Sequence, residues 1–178
     1  MAVAASNLTQ GNDRGVGGSS FNTASITPTA NRLILATVTS RHASADPNHP
    51  TLSGCGLTWV EVASDNYDNT GSQKRVTVFR AMGASPSTGA VTIDFAGQSQ
   101  SDCVWTIDQL SGMDTSGTNG SGAVVQSATN QDRTGSGTSL TTTLAAFGSA
   151  NNATYGACAV GKGTGTSTAG SGFSKPEY

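Results

Sequence analysis

The chain has 178 residues, a net charge of −2 and only 11% charged residues, a size that fits one domain and a charge content too low for a disordered chain. Its nine Lys and Arg residues are scattered along the sequence, with Lys74 and Arg75 as the one adjacent pair, which argues against a nucleic-acid partner because phosphate binding needs clustered cations. The longest apolar runs, such as the one at Leu33, fall far short of the roughly 20 residues of a membrane span, so we expect no membrane partner.

Short segments of alternating polarity between turn residues predict eight or nine β-strands. Residues 1–18 are polar and predict a flexible N-terminal arm. Residues 32–41 (RLILATVTSR) predict the strongest strand, and its first half is apolar on both faces, which indicates a central strand that is covered on both sides. The other predicted strands are residues 20–27, 57–64, 74–82, 90–95, 103–110, 123–128, 139–144 and 153–160.

The connecting segments are rich in Gly, Asn, Asp and Pro, the residues that form turns. Residues 42–56 and 65–72 predict long loops, and residues 161–178 predict a flexible tail rich in Gly, Ser and Thr. The domain is therefore predicted to span residues 19–160. Its strand number favours an all-β antiparallel two-sheet sandwich, jelly-roll-like, over a large immunoglobulin-like sandwich.

Three cysteines, Cys55, Cys103 and Cys158, cannot all pair within one chain, and their spacing matches no zinc pattern. Small buried thiols are common in strands, so we expect buried free thiols. A disulfide between Cys103 and Cys158 is the alternative, and it requires that their strands be neighbours.

No arrangement of residues typical of a catalytic or metal site is found in the sequence. There is no G-x-S-x-G elbow, and His42 and His49 flank Asp46 on an irregular loop without the spacing of metal ligands. The acidic residues predicted to lie on strands could face one surface as a glycosidase pair requires, although the solvent face of a sheet is their ordinary place. They are Glu61, Asp94 and Asp108. We therefore expect no enzymatic activity, no metal and no cofactor.

One loop offers a candidate binding site. Asp65, Asn66, Tyr67 and Asp68 combine oxygen ligands of the kind that Ca²⁺ prefers with an aromatic ring that could stack on a sugar. The same residue types are the usual turn formers, and the EF-hand spacing is lacking. Trp59 is predicted to lie inside a strand, where it would not form such a platform.

Several segments together resemble a family of β-sandwich domains found in virion proteins of tailed phages and in bacterial surface proteins. They are NRLILATVTSR, GLTWVEVAS, RVTVFRAM, TGAVTIDF, the Trp105 strand ending in LSGMD, and AVVQSAT. The resemblance covers residues 19–173, and its motifs are structural. It implies a decoration, fibre or adhesion module. In that family one or two further strands follow the AGSGF segment, which predicts that another subunit, a swapped arm or a lattice neighbour covers an open edge here.

These observations predict a non-enzymatic structural protein of a phage-like virion, a capsid decoration (cement) or tail-associated protein on the virion surface. It would assemble through sheet edges and terminal arms into a homo-oligomer, with a trimer among the expected states, and would contact other virion proteins. The alternative is a carbohydrate-binding or adhesion module, extracellular or on a cell surface, that recognises surface glycans through loops at one end of the sandwich.

Overall fold

A computed structural model describes residues 3–67, 73–132, 139–149 and 151–159. Within these ranges the chain forms strands and turns but no helix, and therefore no helix that could cross a membrane. The strands are β1 (Ala4–Gly18), β2 (Ser20–Asn22), β3 (Leu33–His42), β4 (Thr51–Gly54), β5 (Val60–Tyr67), β6 (Gln73–Ala81), β7 (Val91–Asp94) and β8 (Gln100–Ser111).

The eight strands form two antiparallel sheets, one of five strands in the order β1-β8-β3-β6-β5 and one of three in the order β2-β7-β4. The pairs β1 with β8, β2 with β7 and β3 with β6 are nested, as in one long hairpin that has been rolled up. This nesting is the jelly-roll arrangement, so the predicted all-β sandwich is confirmed. One strand departs from it, since β5 pairs with β6 rather than with β4.

The main core lies between the two sheets and is built from the alternating inward side chains of their strands. Phe95 is fully buried and meets Phe21 edge to face, with ring centroids 6.0 Å apart. Ile34, Ala36 and Val38 of β3 belong to the same cluster. Trp59 packs at its edge, half-buried, and lies one residue before β5 begins, so the prediction that it lies inside a strand was wrong.

A second, smaller core lies on the outer face of the five-stranded sheet. Leu33 and Leu35 of β3 pack there with Met82 and Leu110, which confirms that the first half of β3 is covered on both faces. The cover comes from the part of the chain after β8, here called the C-terminal segment, residues 113–132, 139–149 and 151–159. Its contacting side chains include Met113, Ala123, Val124 and Tyr155.

The prediction of three strands in the C-terminal segment was wrong for the residues that the structure describes. Residues 123–128, 139–144 and 153–159 form no strand, and residue 160 lies outside the described residues, as do residues 161–178. Side-chain amides replace the expected backbone ladder: Gln126 donates to the carbonyl of Ala145 and accepts from its amide, and Asn130 donates to the carbonyl of Thr141. These stretches therefore run side by side without pairing as strands.

Two further strands correct the prediction. Residues 4–18, expected to be a flexible arm, form β1, whose partner is β8 along most of its length. Leu8 sits at a bulge between Asn7 and Thr9 and packs against the main core, which holds the strand in place. The predicted loop at residues 42–56 contains β4.

Candidate functional site

The predicted glycan or calcium loop is not a loop over the residues that the structure describes. Asp65, Asn66 and Tyr67 lie in β5 and pair with Val76, Arg75 and Lys74 of β6, and Asp68 lies outside the described residues. Neighbouring side chains of a strand point to opposite faces, so Asn66 faces away from Asp65 and Tyr67. The three side chains therefore do not converge on one ligand.

The two histidines are engaged separately. The His42 Nδ1 accepts the backbone N–H groups of Ser44 and Ala45 at 3.2 and 2.9 Å, which stabilises the turn after β3. The exposed His49 Nδ1 lies 3.1 Å from a Glu61 carboxylate oxygen. Within the described ranges, no three His, Cys, Asp or Glu side chains come together as metal ligands.

The three strand carboxylates are also apart. Asp94 accepts the N–H of Ala96 at the end of β7, in the three-stranded sheet. Asp108 is buried on the outer face of the other sheet, where it accepts hydrogen bonds from the Asn7 amide at 3.0 Å and from the Tyr155 hydroxyl at 3.1 Å. Glu61 pairs with His49, so each of the three carboxylates has a different partner.

All three cysteines are free, and their surroundings differ. Cys55 and Cys103 are buried as predicted, whereas Cys158 is exposed, so the expectation of burial was wrong for that residue, and it forms no disulfide with Cys103. Burial, with a smaller contribution from the Asp13 carboxylate, raises the pKa of the Cys103 thiol to about 12. Burial also raises the pKa of Cys55, whose thiol donates to the carbonyl of Gly89.

This difference predicts one fast thiol per chain. Because its pKa is raised, the Cys103 thiol stays protonated at pH 8, and the thiolate is the reactive form. We expect a thiol reagent to modify Cys158 at once and the two buried thiols only after denaturant is added. Replacing Cys158→Ser should remove the fast phase, and equal reaction of three thiols in the native chain would contradict the placement.

The sheet edges differ in how well they are protected. The edge strands of the small sheet, β2 and β4, have only 3 and 4 residues. At the β5 edge, Val62 forms a bulge and its carbonyl accepts the hydroxyl of Ser127 from the C-terminal segment. Short strands, bulges and covering segments are the usual means of blocking an edge.

The β1 edge has much less protection. This strand has 15 residues, and no strand among the described residues pairs with its outer side. Its bulges lie near the two ends, so the register is regular over residues 9–14. Gln10, Asn12 and Arg14 are exposed there, and Val16 is 78% exposed beyond them. We call residues 9–14 of this strand the β1 edge.

Polar contacts on both sides of the β1 edge fix it to its own sheet. On one side, the Asn7 amide bonds to the Asp108 carboxylate and spans the Leu8 bulge by reaching the Thr9 carbonyl at 3.3 Å. On the other side, the N–H of Gly15 donates to Asp102 at 3.0 Å. Asp102 is also paired with the Arg41 guanidinium. The β1 edge is therefore held in the extended conformation of a β-strand.

The described residues form a jelly-roll sandwich in which one long edge strand, β1, has no described strand paired to its outer side. The chain matches no protein-family model, no curated protein and no solved structure. Sequence patterns do not predict the β1 edge because its residues are all polar or glycine, which leaves no apolar alternation to mark a strand.

Proposed function

We propose that this chain is a non-enzymatic structural protein of a phage-like virion, a capsid decoration or tail-associated protein at the virion surface. In this role it assembles with copies of itself and with other virion proteins. The observation that carries the proposal is the β1 edge. A long exposed edge strand can pair with other chains, and monomeric proteins normally block such an edge. The resemblance of the core strands to phage sandwich domains points in the same direction.

Apolar side chains on the C-terminal segment give further support. Val125 is 68% exposed and Leu140 53% exposed. Val125 and Phe147 line an open cavity of about 430 Å³. Exposed apolar side chains around a cavity are typical of surfaces that meet another protein, which fits the proposed contact with other virion proteins.

The solution mass tests this proposal. We expect light scattering over a range of concentrations to give a mass that is a multiple of the 17.8 kDa chain. The mass should be the same with and without Ca²⁺, because the described part of the chain gathers no set of carboxylates for that ion. A mass of one chain at every concentration would contradict the proposal.

The glycan-binding alternative has its own test. If Asp65 and Tyr67, which share one face of β5, bind sugar, a glycan array should show binding that is lost in Tyr67→Ala. On the structural proposal we expect no glycan signal that depends on Tyr67. A signal that does depend on it would turn the assignment toward a carbohydrate-binding module.

A further inference from the structure

We propose that the β1 edge pairs with the β1 edge of a second copy of this chain. The two strands run antiparallel about a two-fold axis perpendicular to the sheet, and two five-stranded sheets become one continuous sheet of ten strands. This inference rests on the proposed function and deepens it by naming the surface and the partner. It also makes the basic assembly a dimer, whereas a trimer was among the states expected from the sequence.

The backbone of the β1 edge is already in the conformation that strand pairing requires. A strand at a sheet edge presents a row of unpaired N–H and C=O groups that template another strand. Here that row is already extended, because the Asn7 to Asp108 and Gly15 to Asp102 hydrogen bonds hold β1 against β8. An added strand therefore gains ladder hydrogen bonds without the entropic cost of ordering the edge.

The β1 strand of a second copy fits this edge better than the other edge strands do. Among the edge strands that the structure describes, β2 and β4 are too short to match, and β5 has 8 residues with a bulge beside Ser127. The β1 strand of a second copy matches in length and in the position of its bulges. A closed two-fold contact is also the commonest symmetry of soluble oligomers.

The charges of β1 also permit two copies to pair. The charges of β1 are Asp13 and Arg14 alone, so the strand is neutral and two copies meet without net repulsion. Its other side chains at the β1 edge are small or uncharged, namely Thr9, Gln10, Gly11 and Asn12. The edge therefore carries none of the lysines that proteins use to keep strands apart.

Added lysines test the pairing. In an antiparallel pair, directly opposite residues have their side chains on the same face of the sheet. If the two-fold axis lies near any of residues 10–13, a lysine at position 10 or 12 therefore lies opposite a lysine or opposite Arg14 of the second copy, and like charges in that position repel. We expect the variant Gln10→Lys with Asn12→Lys to raise the dimer dissociation constant about tenfold or more, measured by sedimentation equilibrium. Thr51→Lys, at an exposed position on the edge strand β4, is the matched control and should dimerise like the wild type.

The outcomes separate this inference from the proposed function. If the wild type forms an oligomer and neither variant weakens it, the β1 pairing is overturned, while the proposed function stands with assembly through another surface. A wild-type monomer at every concentration would overturn both. If the lysine variant does not fold, hydrogen exchange of the wild-type backbone amides tests the pairing instead. The pairing predicts that the exchange rates of alternate amides in residues 9–14 fall as the protein concentration rises. Exchange rates that do not change with concentration would overturn it.

Discussion

Phe95→Ala is expected to lower the free energy of unfolding by about 3–5 kcal/mol, the range measured when a large aromatic side chain is removed from a packed core. Phe95 is fully buried between the two sheets, where its ring meets Phe21 edge to face. The backbone N–H of Phe95 also donates to the carbonyl of Ser19. This hydrogen bond holds the backbone in place, so it limits how far the chain could move into the space that the ring leaves. Urea unfolding followed by fluorescence measures the loss.

The matched control is Phe147→Ala. The same atoms are removed, but Phe147 is 38% exposed on the C-terminal segment, and we expect a change of about 0.5 kcal/mol or less. A loss at Phe95 no larger than the loss at Phe147 would mean that the two sheets do not pack as described.

Asp108→Ala is expected to cost about 2 kcal/mol and to loosen the C-terminal segment. Asp108 accepts hydrogen bonds from Asn7 on β1 and from Tyr155, whose hydroxyl also meets Thr37 at 3.0 Å. Hydrogen bonds to a buried charged group contribute about 1.5–3 kcal/mol. Removing the carboxylate therefore weakens one contact to β1 and one to the segment that covers the outer face.

A double-mutant cycle measures that coupling. Tyr155→Phe removes the hydroxyl and should cost about 1 kcal/mol. If Asp108 holds the C-terminal segment through Tyr155, the double variant should lose less than the sum of the two single losses. Strict additivity would show that the two residues do not interact.

Sequence patterns predicted the inner strands well because burial marks them. β3, β6, β7 and β8 lie within about three residues of their predicted bounds, and each shows the apolar alternation or the apolar run that a core imposes. β1 has no such pattern. Its place depends on long-range contacts with β8, such as the one between Asn7 and Asp108, which no local pattern carries.

The candidate loop was misassigned for a related reason. Asp65 and Asn66 are common turn residues, yet the cross-strand pairs with Val76 and Arg75 extend β5 through them. Buried Arg75 donates to the hydroxyl of Ser64 and to the carbonyl of Pro47, so it anchors this end of the sheet. Tertiary pairing therefore overrides the local preference for a turn.

Residues 123–128 show the opposite error. Their alternation is typical of a strand, but in the structure the partner stretch is reached by the Gln126 side chain instead of by the backbone. Whether an alternating segment pairs depends on a neighbour at hydrogen-bonding distance, and composition does not report that distance.

A cysteine scan of the β1 edge detects the proposed pairing of two β1 strands through intermolecular disulfides. Single cysteines are placed at residues 9–14 in a Cys103→Ala, Cys158→Ser background, because residue 13 lies opposite Cys103 of the same chain. Thr51→Cys is the control, and intermolecular disulfides are measured after mild oxidation. Only residues next to a two-fold axis face their own copies at about 4.5–5.5 Å, within reach of a disulfide. The pairing predicts one sharp maximum of cross-linking within residues 9–14 and little in the control. Uniformly low yields along β1, no higher than at position 51, would contradict it.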